Sequence, residues 1–435
     1  MLKHASWLAV CLAAAASAAS AEIKSQKAAA VFQEARTICE RDAAALWGRS
    51  LCGPILLVDP TDRAVRANQA DASGLLKPDG ATFVGVLPAS ENIANTAVTW
   101  AGVRWTEMAW PLRDEGEARS VLIAHELFHR IQPDLALTRP REGDNQHLDT
   151  LEGRYLLQLE WRALAVALRA TTPAARDEAI DDALLFRAAR YARFPEVRDQ
   201  EAALELNEGL AEYTGVRAGL TSSQARIAYA ADRLRPFAPG VTFVRSFAYA
   251  TGPAYGLLLD AADPNWRKDL VSGRGLDARL RMALGRPDPD LARAQSRAAR
   301  YDDGTLRASE ARRDAEVQAR IAANRAKFVD GPVLRLPLAH MKYQFNPQTL
   351  QPLGLFGTVY PTARLVDDWG VVEVQGGALM TKDRKAFVVS AVGVDPAAPR
   401  SGDWTLQLNP GWVLVAGERP GDLIVKPAAC QTQGC

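Results

Sequence analysis

The chain has 435 residues, of which 48% are hydrophobic and 24% are charged, and its formal net charge is +1. This length and composition are typical of a globular protein with two or three domains. The near-zero net charge gives no overall attraction for nucleic acid or for an anionic membrane surface, so we expect no nucleic-acid partner.

The first 21 residues have the pattern of a secretory signal peptide. Lys3 supplies a positive end, an alanine-rich apolar stretch follows, and the triplet Ala19-Ser20-Ala21 precedes Glu22. We expect cleavage after Ala21 and an exported protein, periplasmic or secreted; a lipoprotein signal ending at Cys11 is the alternative. The apolar run is too short to span a bilayer and no comparable run follows, so the sequence predicts no transmembrane segment in the mature chain.

The mature chain begins with a predicted helix, because residues 25–47 are rich in alanine and charge and lack proline and glycine. Between about 53 and 113, short β-type segments bounded by Asp, Gly, Pro and Asn predict a small, twisted, mainly antiparallel sheet. From about 114 to 330 the pattern is mostly helical. Acidic residues are interspersed among the arginines of 290–328, which favours a solvated helix over a nucleic-acid patch.

The C-terminal segment, 331–435, returns to β-type sequence. Six or so apolar runs separated by Gly, Pro and Asp turns predict a separate β-sandwich or barrel-like domain. The fold class predicted for the whole chain is therefore α+β, with one domain over 22–330 and a second over 331–435.

Four cysteines remain after removal of the predicted signal peptide. An exported protein meets an oxidising environment, so we expect disulfides rather than free buried thiols. Proximity in the sequence suggests Cys39–Cys52 and Cys430–Cys435, which is one of three possible connectivities.

A candidate metal site lies in the stretch "VLIAHELFHRIQ", residues 121–132. His125 and His129 are four residues apart, so they share one face of a helix and can bind one tetrahedral zinc ion. Glu126 is rotated by about 100° from His125 and can stand beside the metal as a general base for a metal-activated water. The apolar neighbours predict a buried helix, where imidazoles without a partner are costly; a purely structural role for them is the alternative.

Zinc needs a third protein ligand. An extended form of the motif supplies a third histidine six residues after the second one, but Leu135 occupies that position here, so we expect a carboxylate. The pair "HELFH" and "NEGLAEY", residues 207–213, resembles the gluzincin metallopeptidases, such as the aminopeptidase N-like and bacterial collagenase-like families. The resemblance implies a zincin-like core, one zinc ion, and Glu208 as the third ligand. It places Glu212 where it can hydrogen-bond a liganding histidine; a solvated helix carboxylate is the alternative.

The spacing between the two motifs departs from that family. His129 and Glu208 are separated by 78 residues, 130–207, where a few tens are usual. Glu152 and Glu160 lie at the more familiar distance without the motif, and both stay open as the third ligand. If Glu208 is the ligand, residues 140–200 form a helical insertion between the two metal-bearing helices.

Two more features follow from the resemblance. The segment "FAYATGPAYGLLLD", residues 247–260, is similar to a Y-x-x-G segment whose tyrosine stabilises an oxyanion, which implies this catalytic role for Tyr249, with Tyr255 as the runner-up. Both can instead be core tyrosines. His147 is another possible donor, although its position favours a solvated loop histidine. The resemblance also implies that residues 103–110 form an edge strand that binds the substrate backbone.

These observations predict an exported zinc metallopeptidase that hydrolyses peptide bonds in peptide or protein substrates, with Glu126 as general base. Two other readings of the sequence remain open. One is a catalytically inactive zinc-binding or interaction protein of the cell envelope. The other is a structural or interaction protein whose working part is the C-terminal β-domain.

Overall fold

We describe a computed structural model of the chain, covering residues 23–112, 116–135, 137, 143–235, 242–346, 349–395 and 399–428. The predicted signal peptide and the predicted Cys430–Cys435 pair lie outside the described residues. The chain divides into two compact units, with the division between Glu310 and Ala311. In the part of the chain that is described, no helix is long and apolar enough to cross a membrane.

The first unit contains one sheet in the described residues. Its strands are β1 (Ile55–Val58), β2 (Ala64–Ala67), β3 (Lys77–Asp79), β4 (Thr82–Val86), β5 (Thr96–Trp100) and β6 (Val103–Ala109). Their order across the sheet is β3-β4-β2-β1-β6-β5, and only the pairing of β1 with β6 is parallel. The prediction of a small, mainly antiparallel sheet is confirmed.

The predicted edge strand at 103–110 is wrong. Strand β6 pairs with β1 on one side and β5 on the other, so β5 is the edge. The reason is a tight hairpin, in which Ala101 (φ 49°) and Gly102 (φ 75°) both have positive φ. Two such residues form the type of turn that folds a strand directly back onto its neighbour.

All but one of the α-helices in the described residues lie between residues 117 and 325, which confirms the predicted helical region. They are α1 (Ser25–Asp42), α2 (Glu117–Ile131), α3 (Leu151–Arg169), α4 (Pro173–Arg193), α5 (Arg198–Leu204), α6 (Leu210–Gly219), α7 (Ser223–Arg233), α8 (Ser246–Ala262), α9 (Leu276–Ala283), α10 (Ala294–Ala298) and α11 (Thr305–Arg325). A π-helical segment, Glu205–Gly209, joins α5 to α6.

The two faces of the first sheet enter different cores. Ile55, Leu57 and Met108 join the large core that the helices form, whereas Leu56 and Trp105 belong to a smaller core on the opposite face. Alternate residues of a strand point to opposite faces, so the apolar run of β1 can supply both cores at once. The helices, including α2, therefore lie against one face of the sheet.

Helices α3 and α4 form a hairpin between α2 and the π-helical segment. Each begins at a threonine cap: Thr150 accepts a hydrogen bond from the Gly153 N–H, and Thr172 accepts one from the Ala175 N–H. Such caps satisfy backbone donors that a helix start leaves free. Much of the stretch 140–200 is thus a helical hairpin inserted between His129 and Glu208.

A disulfide joins Cys39, near the end of α1, to Cys52 in the loop before β1, as the sequence suggested. Arg130 of α2 secures the same loop, because its Nη2 donates to the backbone oxygens of Ser50, Leu51 and Cys52 at 3.3, 3.2 and 2.8 Å. The loop is therefore tied to the residue that directly follows His129.

The second unit is β-rich, as predicted. Its strands in the described residues are β7 (Val333–Pro337), β8 (Lys342–Phe345), β9 (Gln351–Pro352), β10 (Gly357–Tyr360), β11 (Ala363–Asp367), β12 (Gly370–Val374), β13 (Ala378–Thr381), β14 (Ala386–Ser390), β15 (Trp404–Leu408), β16 (Trp412–Ala416) and β17 (Leu423–Pro427). They form a seven-stranded sheet, β16-β17-β7-β14-β13-β10-β9, and a four-stranded sheet, β15-β12-β11-β8. Leu336 and Phe387 of the larger sheet share a core with Leu365 and Val372 of the smaller, which is sandwich packing.

Candidate metal centre

Helix α2 carries both histidines of the H-E-x-x-H motif into the interior. His125 is 4% exposed and Glu126 is 3% exposed. The helix also packs closely on α6, and this close approach requires glycine. A Cβ atom at Gly215 would lie 2.7 Å from the backbone oxygen of Val121, and one at Gly219 would lie 2.7 Å from that of Ser120. The sequence "EYTGVRAG" therefore lets α6 approach the histidine helix backbone to backbone.

Three side-chain atoms, two from α2 and one from the π-helical segment, lie close to one another. The Nε2 atoms of His125 and His129 are 3.1 Å apart. Glu208 Oε2 lies 3.6 Å from His125 Nε2 and 3.5 Å from His129 Nε2. The structure thus brings together the two sequence-predicted histidines and the carboxylate implied by the resemblance, although they are far apart along the chain.

The second ring nitrogen of each histidine has a partner of its own. His125 Nδ1 lies 2.9 Å from Glu212 Oε2, and His129 Nδ1 lies 3.1 Å from Gln132 Oε1. The amide nitrogen of Gln132 donates to the Leu206 and Asn207 carbonyls, so its oxygen is the atom that faces His129. Both Nδ1 atoms therefore act as donors, which leaves Nε2 as the atom of each ring that can bind a cation.

The two Nε2 atoms and the carboxylate oxygen have the spacing of a cation site. Zinc holds nitrogen and oxygen ligands at 2.0–2.2 Å in a tetrahedron, which places neighbouring ligand atoms about 3.3 Å apart. The observed separations of 3.1, 3.5 and 3.6 Å agree with that value. The donor atoms and their spacing therefore fit a divalent cation.

Glu126 belongs to the same cluster but is placed differently from Glu208. The ligand-type atoms of His125, Glu126 and His129 all lie within 4.8 Å of one another, a grouping compatible with a metal site. Glu208 Oε2 lies close to a tetrahedral edge from both Nε2 atoms, at 3.6 and 3.5 Å. Glu126 Oε2 is buried and has no hydrogen-bond partner in the described residues. The contacts of Glu208 with both histidines make it a candidate third ligand, and Glu126 has a free carboxylate oxygen in the same cluster.

The π-helical segment sets the position of Glu208. Its first residue, Glu205, is fully buried and accepts two hydrogen bonds from Arg187, at 2.8 and 2.7 Å. Its last residue, Gly209, packs against Gly252 of α8, where a Cβ atom at Gly252 would lie 2.3 Å from the Gly209 backbone. Single π-turns inside helices occur frequently at functional sites. Here the turn is anchored on one side while Glu208 faces the histidines on the other.

The charges around the histidines favour a positive occupant. Burial lowers the pKa of His125, but hydrogen bonds to Glu208 and Glu212 outweigh burial and raise it to about 10. Burial raises the pKa of Glu208, yet its contacts with His125 and His129 bring it well below the usual range. Burial also raises the pKa of Glu126. Three carboxylates thus surround two imidazoles in a buried site, which is an environment that attracts a cation.

Tyr249 lies in the site and Tyr255 does not. The Tyr249 hydroxyl donates to Glu208 Oε2 at 2.7 Å, and its ring stacks on His125 with 5.6 Å between centroids. Burial and the Glu208 carboxylate both raise the pKa of Tyr249, so its hydroxyl keeps its proton. Tyr255 is fully buried and donates to Glu160, away from the histidines.

The rival ligands occupy other places. Glu160 is 0% exposed and accepts hydrogen bonds from Arg187 and Arg190, both at 2.7 Å. Glu152 pairs with Arg307. His147 is buried rather than solvated, and its Nε2 lies 2.7 Å from Glu201 Oε1. None of the three candidates lines the cleft around His125 and His129, so the structure does not bring them to the site.

The histidines open onto a cleft of about 760 Å³ between β5, β6 and the helices. Its lining includes Asn95, Thr96 and Ala97 at the edge strand, together with Glu126, Glu208 and Tyr249. It also includes three arginines that the sequence analysis did not single out, namely Arg104, Arg233 and Arg245.

Gln132, the partner of His129, was also not predicted from the sequence. Its position three residues after His129 was a usable signal, because such residues are neighbours on a helix surface.

Comparison with protein-family models, curated proteins and solved structures gives no match to this chain. The functional assignment therefore depends on the geometry of the site itself.

Proposed function

We propose that the protein is an exported zinc metallopeptidase, with His125, His129 and Glu208 as ligands. One observation carries the proposal. The Nε2 atoms of the two histidines and Oε2 of Glu208 converge at 3.1–3.6 Å from one another, and Oε2 of the neighbouring Glu126 has no hydrogen-bond partner in the described residues. The Cys39–Cys52 disulfide supports export, because such bonds persist in oxidising compartments.

The residues around the site have separate roles in this proposal. A bound zinc ion supplies Lewis acidity, which polarises a carbonyl group and acidifies water. Glu126 has a free, buried carboxylate oxygen, so it can accept a proton from the attacking water and pass it to the leaving amine. Tyr249 keeps its proton next to the His125 ring, where it can donate a hydrogen bond to a developing oxyanion.

The edge strand gives the cleft a way to hold an extended peptide. Strand β5 has a neighbour on one side only, and its first residues, Thr96 and Ala97, line the same cleft as the histidines. An edge strand presents unpaired backbone groups, to which an extended peptide can add as a further strand. This arrangement favours a peptide over a small polar substrate.

Elemental analysis and peptide hydrolysis together test the proposal. We expect one zinc ion per chain in the wild type and a large loss of zinc in His125→Ala. Glu126→Gln should keep the zinc and lower the rate of peptide-library cleavage by about 100-fold or more, since it removes only the proton acceptor.

The absence of stoichiometric zinc from the wild type would overturn the metal site. Equal cleavage by wild type and Glu126→Gln would overturn the assigned role of Glu126. If both proteins bind zinc and neither cleaves any peptide, the result favours a zinc-binding protein without catalytic activity.

A further inference from the structure

Arg104 is an arginine of the cleft that has no anionic partner in the part of the chain described. It lies on β6, one strand in from the edge, and its side chain is half-buried. Its Nε is inaccessible to solvent and makes no hydrogen bond within the described residues. Removing a guanidinium partly from water without a partner costs free energy, so an anion bound at this position would be stabilised.

The orientation of Arg104 follows from the alternation of β6. Trp105 belongs to the small core on the far face of the sheet, while Met108 belongs to the large core shared with the helices. Arg104 is four residues before Met108, an even number, so both side chains point to the same face of the sheet. Arg104 therefore faces the helices and the cleft. Its cross-strand partner is Thr99 of the edge strand, so it lies next to the strand along which a peptide would add.

The other two arginines of the cleft are already engaged. Arg245 Nη2 lies 3.2 Å from Glu208 Oε1, and Arg233 donates to the Tyr229 hydroxyl at 2.7 Å and lies 3.9 Å from Glu212. Arg130 lies near Arg104, and both burial and the Arg104 charge lower the pKa of Arg130. Its Nη2 donates to backbone oxygens. Among the described arginines that line this cleft, Arg104 is thus the one with no carboxylate beside it.

The net charge of the cleft points to the same ligand. Among its lining residues, three carboxylates (Glu126, Glu208 and Glu212) face three guanidiniums (Arg104, Arg233 and Arg245). A divalent cation on the histidines then leaves the cleft positive overall. A positive, partly enclosed cleft attracts anionic substrates and strengthens their hydrogen bonds.

We propose that Arg104 is a specificity residue that selects peptides with a carboxylate close to the bond that is cut. This inference rests on the proposed peptidase function and names its substrate class. The carboxylate belongs either to an aspartate or glutamate side chain or to a free C-terminus. The planar guanidinium can hold such a group through two parallel hydrogen bonds.

Matched peptide pairs test this proposal on the zinc-loaded, full-length protein. One series scans glutamate against glutamine through each position of a fluorogenic peptide, and a second compares a free C-terminal carboxylate with its amide. We expect the acidic member to have a kcat/KM about tenfold or more above its neutral partner at one position. The series that responds identifies the source of the carboxylate. Arg104→Gln should bring that ratio close to one, because the acidic peptide loses the hydrogen bonds that distinguish it from the neutral one.

Binding of the same pairs to Glu126→Gln, measured by fluorescence anisotropy, separates this inference from the proposed function. If the wild type cleaves nothing, the function fails, yet a binding preference that Arg104→Gln removes still supports recognition by Arg104. Arg36→Gln is the matched control, because it removes one exposed arginine charge outside this cleft and should leave the ratio unchanged.

Equal binding of acidic and neutral peptides to Glu126→Gln would overturn the proposal, as would a ratio that survives in Arg104→Gln. Circular dichroism establishes that the variants are folded. Should Arg104→Gln not fold, Arg104→Lys decides: the charge remains but the two-pronged geometry is lost, so the ratio must fall below that of the wild type.

Discussion

At the scale of single residues, the orientation of the two histidines depends on side chains that need not touch a metal. Glu212 holds the Nδ1 atom of His125, and Gln132 holds that of His129. Each contact fixes the tautomer in which Nε2 is free to bind a cation. A histidine pair without these partners would lose the fixed ring orientation on which a precise site depends.

Replacing Glu212 should weaken metal binding without removing a ligand. For Glu212→Ala we expect a zinc affinity lower by about 10- to 100-fold, because the His125 ring loses the acceptor that orients it. Glu212→Gln keeps an acceptor oxygen and should lose less. Competition with a chelator measures both, and Glu117→Gln, an exposed residue of the same helix as His125, is the control. Unchanged affinity in Glu212→Ala would mean that the contact does not support the site.

The sequence predicts site residues where spacing along one helix decides their position. His125, Glu126 and His129 could be named because a helix fixes their mutual geometry. Glu208 and Tyr249 required a resemblance to known motifs, because they come from other helices. Arg104 could not be found, since nothing in the sequence states that β6 is internal or which of its faces meets the cleft.

At the scale of elements, a buried ionic network connects α3 and α4 to α5 and to the π-helical segment that carries Glu208. Glu160 of α3 binds Arg187 and Arg190 of α4, and these arginines bind Glu205 and Glu201. All five side chains are 0% exposed. Charges at such depth are tolerated only when each one is paired, so the network couples the hairpin to the π-helical segment.

A comparison of two glutamates of α3 tests this network. Glu160→Gln should lower the free energy of unfolding by about 3 kcal/mol or more, because two buried guanidiniums lose a shared carboxylate. Glu152→Gln, whose partly exposed pair with Arg307 contributes little, should cost less than about 1 kcal/mol. Urea unfolding of the full-length protein measures both values.

Zinc content measured on the same two proteins also settles the third ligand. Folded Glu160→Gln and Glu152→Gln should bind as much zinc as the wild type, since neither glutamate lies at the histidines. A loss of zinc from either folded variant would contradict the assignment of Glu208.

The error over the edge strand shows where element-level reasoning ends. Strand-forming composition identified 103–109 correctly as a strand, but the position of a strand within a sheet depends on its partners. Here one partner is β5, which is joined to β6 by a two-residue hairpin. The other is β1, which pairs in parallel although four strands lie between β1 and β6 along the chain. Neither pairing leaves a local signal as strong as the strand-forming composition of the segment itself.

At the scale of the whole molecule, one buried acid should make stability depend on pH. Glu107 is 0% exposed; its Oε1 accepts the Ala94 N–H, and its Oε2 has no partner in the described residues. Burial raises the pKa of Glu107, and Glu91 adds to the rise, while the Ala94 N–H and Arg63 oppose it.

The sign of the pH effect follows from this raised pKa. As pH rises above about 4, the unfolded chain releases the Glu107 proton before the folded protein does, so the free energy of unfolding falls until the folded pKa is passed. Glu107→Gln cannot release a proton, and we expect it to gain stability relative to the wild type between pH 4 and pH 8. Urea midpoints across that range provide the measurement. A difference between the two proteins that does not change with pH would contradict the raised pKa.

The α+β class and the order of sheet, helices and C-terminal β-region were predictable from the sequence, because residue periodicity reports secondary structure directly. The number of C-terminal strands was underestimated, since several short strands there follow one another through tight turns. The two compact units divide after Glu310, whereas the composition changes only at 331. Helix α11 contains this division, and its sequence has no glycine or proline to mark it.

The hairpin of α3 and α4 has a consequence for recognising related chains. Because it lies in the chain between α2 and the π-helical segment, its length can change while the side chains of the candidate site keep their mutual distances. The gap between the two halves of the motif is then a property of the inserted hairpin alone. A pattern search that permits only a short gap would pass over this chain, whereas one that leaves the gap unrestricted would retrieve it along with any others carrying the same insertion.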